Sequence, residues 1–466
     1  MVEKDTGILE RYTGPLSRRI QEEYAIGDEF YHGEVKKGLR NSDGTGVLVG
    51  VTKVGSVQGY LLQDGQRVPI PGRLYYRGIE LNDIVEAHRR AGTFGFEEVA
   101  YLLLMGYLPT QEELGRFNSI MSQARKLPEG FTEGMIMRHP SGNMMNELAR
   151  SVLSLYSYDP DPDNTSIENL LLQSVKLIGC FPSIVANAYA VKRHYFQGDS
   201  LHIHFPVPEL STAENFLRMI RPDKHFTQEE ARLLDLCLVC HAEHGGGNNS
   251  TFTCRSVSST GTDTYSAIAA AVASLKGPKH GGANRQVLAQ FSLIKQTVRD
   301  WKDDDAVADC VGRILRRELG DGSGLIYGMG HAVYTLSDPR TVILRQSART
   351  LAAQRGMLDE LELMEAVERV TPRMFAEITG HEKVMCANVD MYSGLIYQML
   401  DIPPDLFTPL FAVARITGWC AHRMEEVLTG GRLYRPAYKS LTRHREYIPM
   451  AARTYRKNPL PAEKRD

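Results

Sequence analysis

Two cysteines and two histidines stand within residues 237–244. The order Cys-x-x-Cys-His is typical of covalent haem attachment, and two Cys with two His form a common zinc ligand set. A capping box at Thr227 and Glu230, followed by apolar residues at helical spacing, predicts one helix through both cysteines. Ligands at i, i+3, i+4 and i+7 of a helix span about 10 Å, too far for zinc bonds of about 2.0–2.3 Å. We therefore expect Cys237 and Cys240 to be core residues, with a haem- or zinc-binding protein as a distant alternative.

Four further polar clusters interrupt the predicted helices, and each places a histidine or an aspartate near glycine. They are His244 with the glycines after it, His280 within residues 277–284, His331 within residues 328–340, and Asp390 within residues 388–394. Glycine lets the backbone approach a ligand closely. A histidine beside glycine is, taken alone, more often part of a turn. Four such clusters in succession between long helices favour one shared site for a small molecule.

The elements that must position these clusters are mostly helices. Residues 47–60 and 73–78 are rich in β-branched and aromatic residues and predict a small N-terminal sheet. Almost all later segments have helical periodicity, including residues 167–195, where we expect a break at Pro182. Neither a phosphate-binding Gly-x-x-x-x-Gly-Lys-Ser/Thr motif nor a dinucleotide-binding glycine pattern in its strand–helix context is present. The sequence predicts a mainly α protein.

Composition excludes several classes of function. The chain has 466 residues, a net charge of −2 and 24% charged residues, so it lacks the basic excess of a nucleic-acid-binding protein. Its uncharged apolar runs are much shorter than the ~20 residues of a membrane span, and we expect no membrane partner. An odd number of cysteines, seven, does not suggest a disulfide framework, and no apolar leader segment is evident. We therefore expect a cytoplasmic enzyme.

The clusters also occur within longer segments that identify a family. From about Gly46 to about Tyr438 the chain resembles the citrate synthase family. The resemblance is carried by Gly-Pro-Lys-His-Gly-Gly-Ala-Asn at 277–284, Gly-His-Ala-Val-Tyr at 330–334, Asp-Pro-Arg at 338–340, Asn-Val-Asp-Met-Tyr-Ser-Gly at 388–394, Ala-Arg-Ile-Thr-Gly-Trp-Cys-Ala-His at 414–422 and Arg-Pro at 435–436. It implies a two-domain helical fold. Residues 1–283 plus 391–466 would form the large domain, with the dimer interface and the oxaloacetate side, and residues 284–390 the small domain on the coenzyme A side.

The resemblance also implies an activity. Members of the family are acyltransferases that condense acetyl-CoA with oxaloacetate and water to give citrate and coenzyme A, as homodimers in the tricarboxylic acid cycle. No cofactor is expected, because the coenzyme A thioester is itself a substrate. The resemblance assigns the catalytic triad to His280, His331 and Asp390, the oxaloacetate ligands to His244, Arg340, Arg415 and Arg435 (Arg435 acting in the partner's site), and coenzyme A contacts to Gly328, Met329 and Gly330. Met329 replaces an aromatic residue of many relatives, and Thr335 replaces a base.

The residue types suit this chemistry on physical grounds. Removal of a proton from a thioester methyl group needs a base, and a carboxylate such as Asp390 in a dry pocket has a raised pKa. His280 lies just before a predicted helix start, where the helix dipole and Lys279 favour a neutral imidazole that can donate a hydrogen bond to an enolate oxygen. Arginine forks match the two carboxylates of oxaloacetate.

Two further interpretations stay open. A 2-methylcitrate synthase would use the same triad with propionyl-CoA, and one methylene is worth only about 1–3 kcal/mol of discrimination. A catalytically silent relative that only binds acyl-CoA would have lost His280, His331 or Asp390, and all three are present.

Overall fold

The computed structural model describes residues 17, 20–21, 24–41, 43–64, 66–380, 384–442, 444 and 446–453. From residue 25 onward the described residues contain fifteen α-helices and a single three-stranded sheet. Residues 49–434 form one compact unit, and the described parts of 1–48 and 435–466 form a second. The prediction of a mainly α fold with a small N-terminal sheet is confirmed. The predicted division at residues 284–390 stays a prediction.

The sheet is an antiparallel hairpin with a short third strand, in the order β1 (Gly55–Gln63), β2 (Gln66–Tyr76) and β3 (Ile79–Glu80). Gly55 pairs with Tyr76 and Val57 with Leu74, and the register shifts beyond Gln58. Side chains alternate between the two faces of a strand. We call one face the inner face of the hairpin, and it consists of Gly55, Val57, Gly59, Gly72, Leu74 and Tyr76. Leu74 and Tyr76 are completely buried in this face.

The helices account for most of the chain. Those before the His244 cluster are α1 (Leu81–Ala91), α2 (Phe96–Met105), α3 (Gln111–Ala124), α4 (Met144–Leu155), α5 (Ile167–Gln197), α6 (Thr212–Ile220) and α7 (Gln228–His241). Those after it are α8 (Asn249–Ser258), α9 (Thr264–Lys276), α10 (Ala283–Thr297), α11 (Asp304–Leu315), α12 (Pro339–Gln354), α13 (Leu358–Thr379), α14 (Asp390–Met399) and α15 (Phe407–Leu428). Helix α15 packs on α5, α7, α8 and α9, whereas α12 packs on α13 and α14.

Helix α5 corrects one prediction, because it runs for 31 residues through Pro182 without a break. An internal proline costs about 3 kcal/mol. Every residue from Leu177 to Tyr189 is buried, however, and a fully buried Leu or Ile side chain contributes about 1.5–3 kcal/mol. Packing therefore holds the helix together across the proline. Among the described residues α5 alone is long and apolar enough to cross a membrane, and 78% of its most apolar window is buried inside the protein.

Candidate active site

The His244 turn follows the end of α7. The capping box of Thr227 and Glu230 starts this helix as predicted, and the helix closes at His241. Cys237 and Cys240 are completely buried in it. The described residues contain no group of three or more His, Cys, Asp or Glu that could hold a metal. The cysteines are core residues, as predicted, and the haem or zinc alternative has no support.

A short backbone pairing brings the His331 and Asp390 loops together. Met329 and Ala387 form an antiparallel bridge. Gly330 N–H donates to the Cys386 carbonyl at 2.8 Å, and Asn388 N–H donates to the Gly328 carbonyl at 2.8 Å. Gly328 and Gly330 have φ values of 87° and 88°, a conformation that favours glycine. His331 follows this pairing directly, and Asp390 opens α14 just beyond it.

The three residues predicted to contact coenzyme A, Gly328, Met329 and Gly330, take part in this pairing through their backbones. Contact with coenzyme A itself stays a prediction for each of them. In the same loop the hydroxyl of Thr335 is buried. Among the described residues it neither accepts nor donates a hydrogen bond.

The ring of His331 is held in one tautomer. Its Nδ1 accepts hydrogen bonds from the backbone N–H groups of Val333 and Tyr334, both at 3.0 Å. An imidazole nitrogen that accepts carries no proton, so the ring proton lies on Nε2. Tyr334 stacks on this ring with centroids 4.5 Å apart. His331 is thus a neutral imidazole whose Nε2–H is the donor.

His244 meets His331 edge to face, with ring centroids 5.0 Å apart. The His244 ring is buried, and its Nε2 has no hydrogen-bond partner in the part of the chain that the structure describes. Burial lowers the pKa of His244 well below its usual range, and the charges of Arg340 and Arg415 lower it further. A buried polar nitrogen without a partner is costly unless a ligand or water meets it.

Arg415 presents an unpaired guanidinium edge. Its side chain is completely buried, and its Nε donates to the His241 carbonyl at 2.6 Å. Both Nη atoms have no hydrogen-bond partner among the described residues. The guanidinium lies over the Phe411 ring, 4.7 Å from its centroid. Burial lowers the pKa of Arg415 to about 10. Because a buried charge needs a counter-ion and a guanidinium fork matches a carboxylate, this arrangement suits a carboxylate ligand.

Arg340 is held at the start of α12. Its Nε and Nη2 donate to the two carboxylate oxygens of Asp338 at 3.0 and 2.6 Å, and Asp338 also caps the helix. Burial lowers the pKa of the guanidinium, but the pair with Asp338 outweighs this and the net shift is upward. Arg340 therefore keeps its charge inside the protein, and its orientation is fixed by two parallel hydrogen bonds.

Asp390 and His280 have pKa values that suit their predicted roles. Burial raises the pKa of Asp390 to about 6, partly offset by the charge of Arg340. Burial, followed by the charge of Arg415, lowers the pKa of His280 to about 4. His280 does precede a helix start, at Ala283. The cause of its neutral state is nevertheless burial and Arg415, and not the Lys279 charge invoked from the sequence.

Ser250 was missed by the sequence analysis, although it follows the His244 cluster closely. Its hydroxyl oxygen lies 3.0 Å from His280 Nε2 and accepts the Trp419 indole N–H at 3.2 Å. The Asn248 side-chain oxygen is also 3.0 Å away. A serine has one proton, which it donates either to Asn248 or to His280. Donation to His280 leaves the ring proton on Nδ1, which is then the donor.

Arg435 is the one predicted site residue outside the larger unit. It is exposed and belongs to the unit with residues 436–466. Its part in oxaloacetate binding stays a prediction.

Comparisons with known proteins point in one direction. The sequence model described as "Citrate synthase, C-terminal domain" matches residues 43–437. The citrate synthase of Synechocystis is 35% identical over 385 residues, which cover 82% of this chain and 88% of that protein. The 2-methylcitrate synthase 1 of Corynebacterium glutamicum is 33% identical over 427 residues, 90% of this chain and 99% of that protein. A solved citrate synthase from Thermoplasma acidophilum, in ternary complex with carboxymethyl coenzyme A and oxaloacetate, has a TM-score of 0.72 at 27% identity and covers 87% of this chain and 97% of its own.

Proposed function

This chain belongs to the citrate synthase family of acyltransferases, and from that premise we propose that it condenses acetyl-CoA with oxaloacetate and water through the site described above. The observation that carries the proposal is the buried, unpaired guanidinium edge of Arg415, which shares its surroundings with Arg340, His244 and Asp390. These groups combine a place for a dicarboxylate with a base of raised pKa.

Oxaloacetate binds first in this proposal. The two Nη atoms of Arg415 receive one carboxylate as a fork, and the guanidinium of Arg340, held by Asp338, attracts the other. The unpartnered Nε2 of His244 supplies a further hydrogen bond. His331 donates its Nε2–H to the ketone oxygen and thereby polarises the carbon that is attacked.

Asp390 then removes a proton from the methyl group of acetyl-CoA. A carboxylate whose pKa is about 6 is largely ionised near neutral pH and is a stronger base than an exposed aspartate. The enolate oxygen is stabilised by the neutral imidazole of His280. The methyl carbon attacks the ketone carbon and a C–C bond forms. The former ketone oxygen, held by the hydrogen bond from His331 Nε2–H, takes up one proton, which balances the proton that Asp390 removed from the methyl group.

Hydrolysis completes the reaction. Water adds to the thioester carbonyl of citryl-CoA, the C–S bond breaks, and coenzyme A leaves as its thiol, which gives citrate. The substrates undergo no net oxidation or reduction, so the proposed reaction needs no cofactor besides the coenzyme A thioester. The proposal includes the homodimer, with Arg435 reaching the oxaloacetate of the partner's site, and operation in the cytoplasm as part of the tricarboxylic acid cycle.

Propionyl-CoA is the second candidate acyl donor, because a 2-methylcitrate synthase aligns with 90% of this chain. The triad would act identically on the CH₂ group of propionyl-CoA. Only the space around the extra methyl group separates the two activities, at about 1–3 kcal/mol.

One assay separates these candidates. Oxaloacetate-dependent release of the coenzyme A thiol is measured with acetyl-CoA and with propionyl-CoA, and kcat/KM is compared. The proposal expects a higher value for acetyl-CoA. A higher value for propionyl-CoA would make the protein a 2-methylcitrate synthase, and no release with either thioester would refute both.

A further inference from the structure

The inner face of the hairpin touches the His244 turn at one end. A Cβ atom placed on Gly55 would lie 2.9 Å from Cγ of Glu243, the residue before His244. A Cβ on Gly245, the residue after it, would lie 3.1 Å from a methyl group of Val57. Gly55 therefore packs against the side chain of Glu243 and Val57 against Gly245, the two residues that flank His244.

The other end of the same face touches the His331 loop. A Cβ on Gly59 would lie 2.3 Å from the Val333 carbonyl oxygen. A Cβ on Gly72 would lie 2.2 Å from the Ser337 carbonyl oxygen and 2.5 Å from the ring of Tyr334. The Gly72 N–H donates to that Ser337 oxygen at 3.0 Å. The loop thus lies on the hairpin backbone itself, in space that only glycine leaves open.

Gly55, Val57 and Gly59 alternate along β1 and share one face, so one rigid strand contacts both histidine-bearing segments. We infer that the inner face of the hairpin is a template that sets the spacing between His244 and His331, with Gly59 and Gly72 as its positioning residues. The inference rests on the proposed function in one respect, namely that these two histidines bind the same oxaloacetate molecule.

A structural explanation of the two glycines is less satisfactory. They lie where the hairpin register shifts, and glycine is common at such irregularities. A bulge position requires glycine, however, only when its φ is positive. Neither Gly59 nor Gly72 has a positive φ. Alanine could adopt either backbone conformation. What it would lose is the close approach to Val333, Tyr334 and Ser337.

Alanine variants test the template. Gly72→Ala and Gly59→Ala should each keep the native helical content, because alanine suits strand backbone at least as well as glycine, and lower Tm only by the cost of displacing the loop. The clashing atoms are mainly backbone oxygens, so the His331 loop must shift as a whole. A displacement of about 1 Å at a catalytic group lowers kcat/KM by about 100-fold. The dissociation constant of oxaloacetate should rise as well, because His331 leaves its position opposite His244.

Gly50→Ala is the matched control, since a Cβ there meets nothing within 4 Å. It should have the kcat/KM and oxaloacetate affinity of the native enzyme. Native values in Gly72→Ala would overturn the inference. So would an equal loss in Gly50→Ala, because the effect would then not depend on the contact with the His331 loop.

Hydrogen exchange in the native protein tests the contact between the hairpin and the His331 loop without any substitution. With oxaloacetate bound, the Gly72 amide should be protected, because it donates to Ser337 across the interface between hairpin and loop. If the Gly72 amide exchanged at the unprotected rate with oxaloacetate saturating, the His331 loop would not be docked on the hairpin. This test holds even if a variant fails to fold. If the native enzyme released no coenzyme A from either thioester, the proposed function would fail, while oxaloacetate binding and Gly72 exchange would still test the template.

Discussion

The imidazole rings of His244 and His331 lie 5.0 Å apart at an interplanar angle of 77°, although one ring follows α7 and the other precedes α12. Tyr334 packs against both rings, with centroid distances of 4.5 Å to His331 and 5.6 Å to His244. Because His331 is neutral by its hydrogen bonds and His244 by its burial, the positive charge near these rings comes from arginines, which suits the dianionic substrate of the proposed reaction.

The first prediction concerns the base. Asp390→Asn should lower kcat by about 10²–10⁴-fold, because the amide cannot accept the methyl proton. The substitution is nearly isosteric, so Tm and oxaloacetate affinity should stay close to the native values. Steady-state kinetics and calorimetry measure both. A near-native kcat in the purified variant would show that another group is the base.

The second prediction is a pH dependence. Burial raises the pKa of Asp390 to about 6, and only the ionised carboxylate can act as a base. The value of kcat/KM for acetyl-CoA at saturating oxaloacetate, which reports the enzyme form that acetyl-CoA meets, should therefore be constant well above pH 6 and fall as the pH drops through about 6. The residual activity of Asp390→Asn should lack this decline. A flat native profile down to pH 5 would contradict the assignment.

The third prediction separates substrate binding from stability within α15. Arg415→Lys keeps the charge but loses the fork at a buried carboxylate. A hydrogen bond to a charged group is worth about 1.5–3 kcal/mol, so the oxaloacetate dissociation constant should rise at least about 10-fold. Arg423 lies on the same helix and is also buried. Its guanidinium donates hydrogen bonds to the hydroxyl groups of Thr264 and Ser258 and to the Thr262 carbonyl. Arg423→Lys should lower Tm with oxaloacetate affinity retained. Equal effects of both variants on affinity would argue against Arg415 as a ligand.

The fourth prediction concerns the cysteines of α7. Cys237→Ala combined with Cys240→Ala should leave kcat and KM unchanged and destabilise the fold by about 1 kcal/mol for each substitution, as is usual for core residues. Elemental analysis and an absorbance spectrum of the native protein provide the check. Stoichiometric zinc or haem that disappears in the double variant would overturn their role as packing residues.

The fifth prediction tests the shared site of the proposed dimer. Asp390→Ala and Arg435→Ala are each expected to be inactive as homodimers. In a mixed dimer, one site combines an intact Asp390 with the partner's intact Arg435, so activity should return. A verified heterodimer without activity would show that Arg435 does not act in the partner's site.

Local signals in the sequence predicted the fold class, because capping boxes and helical periodicity are short-range properties. Thr227 and Glu230 begin α7 as predicted. The break predicted at Pro182 was wrong, because the effect of a proline was predicted from the neighbouring sequence alone, whereas α5 is held together by packing against distant segments. Ser250 was missed for the same reason. Its significance lies in its distances to His280 and Trp419, which come from other elements.

The candidate site residues were predicted from their motifs, and their roles stay predictions, but their physical states could not be predicted in this way. The neutral state of His280 was attributed to the helix dipole and to Lys279, because both are evident from the neighbouring sequence, whereas burial could not be read from the chain. The tautomer of His331 depends on two backbone N–H groups whose direction only the folded loop defines. Sequence patterns thus named candidates, and the packing determines the protonation of these two histidines.

The pairing of residues 328–330 with residues 386–388 has a consequence for how this enzyme can change. The hydrogen bonds that join the two loops use only backbone atoms of residues 328–330, and Asn388 adds one side-chain donor, its Nδ2 to the Gly330 carbonyl at 3.0 Å. They therefore do not depend on the side chain at position 329. Met329 could be exchanged for an aromatic residue, and the predicted contacts to the acyl carrier altered, without moving His331 relative to Asp390. Affinity for the thioester can therefore change independently of the catalytic geometry. During evolution, single substitutions could alter this affinity while the ability to catalyse the condensation is retained.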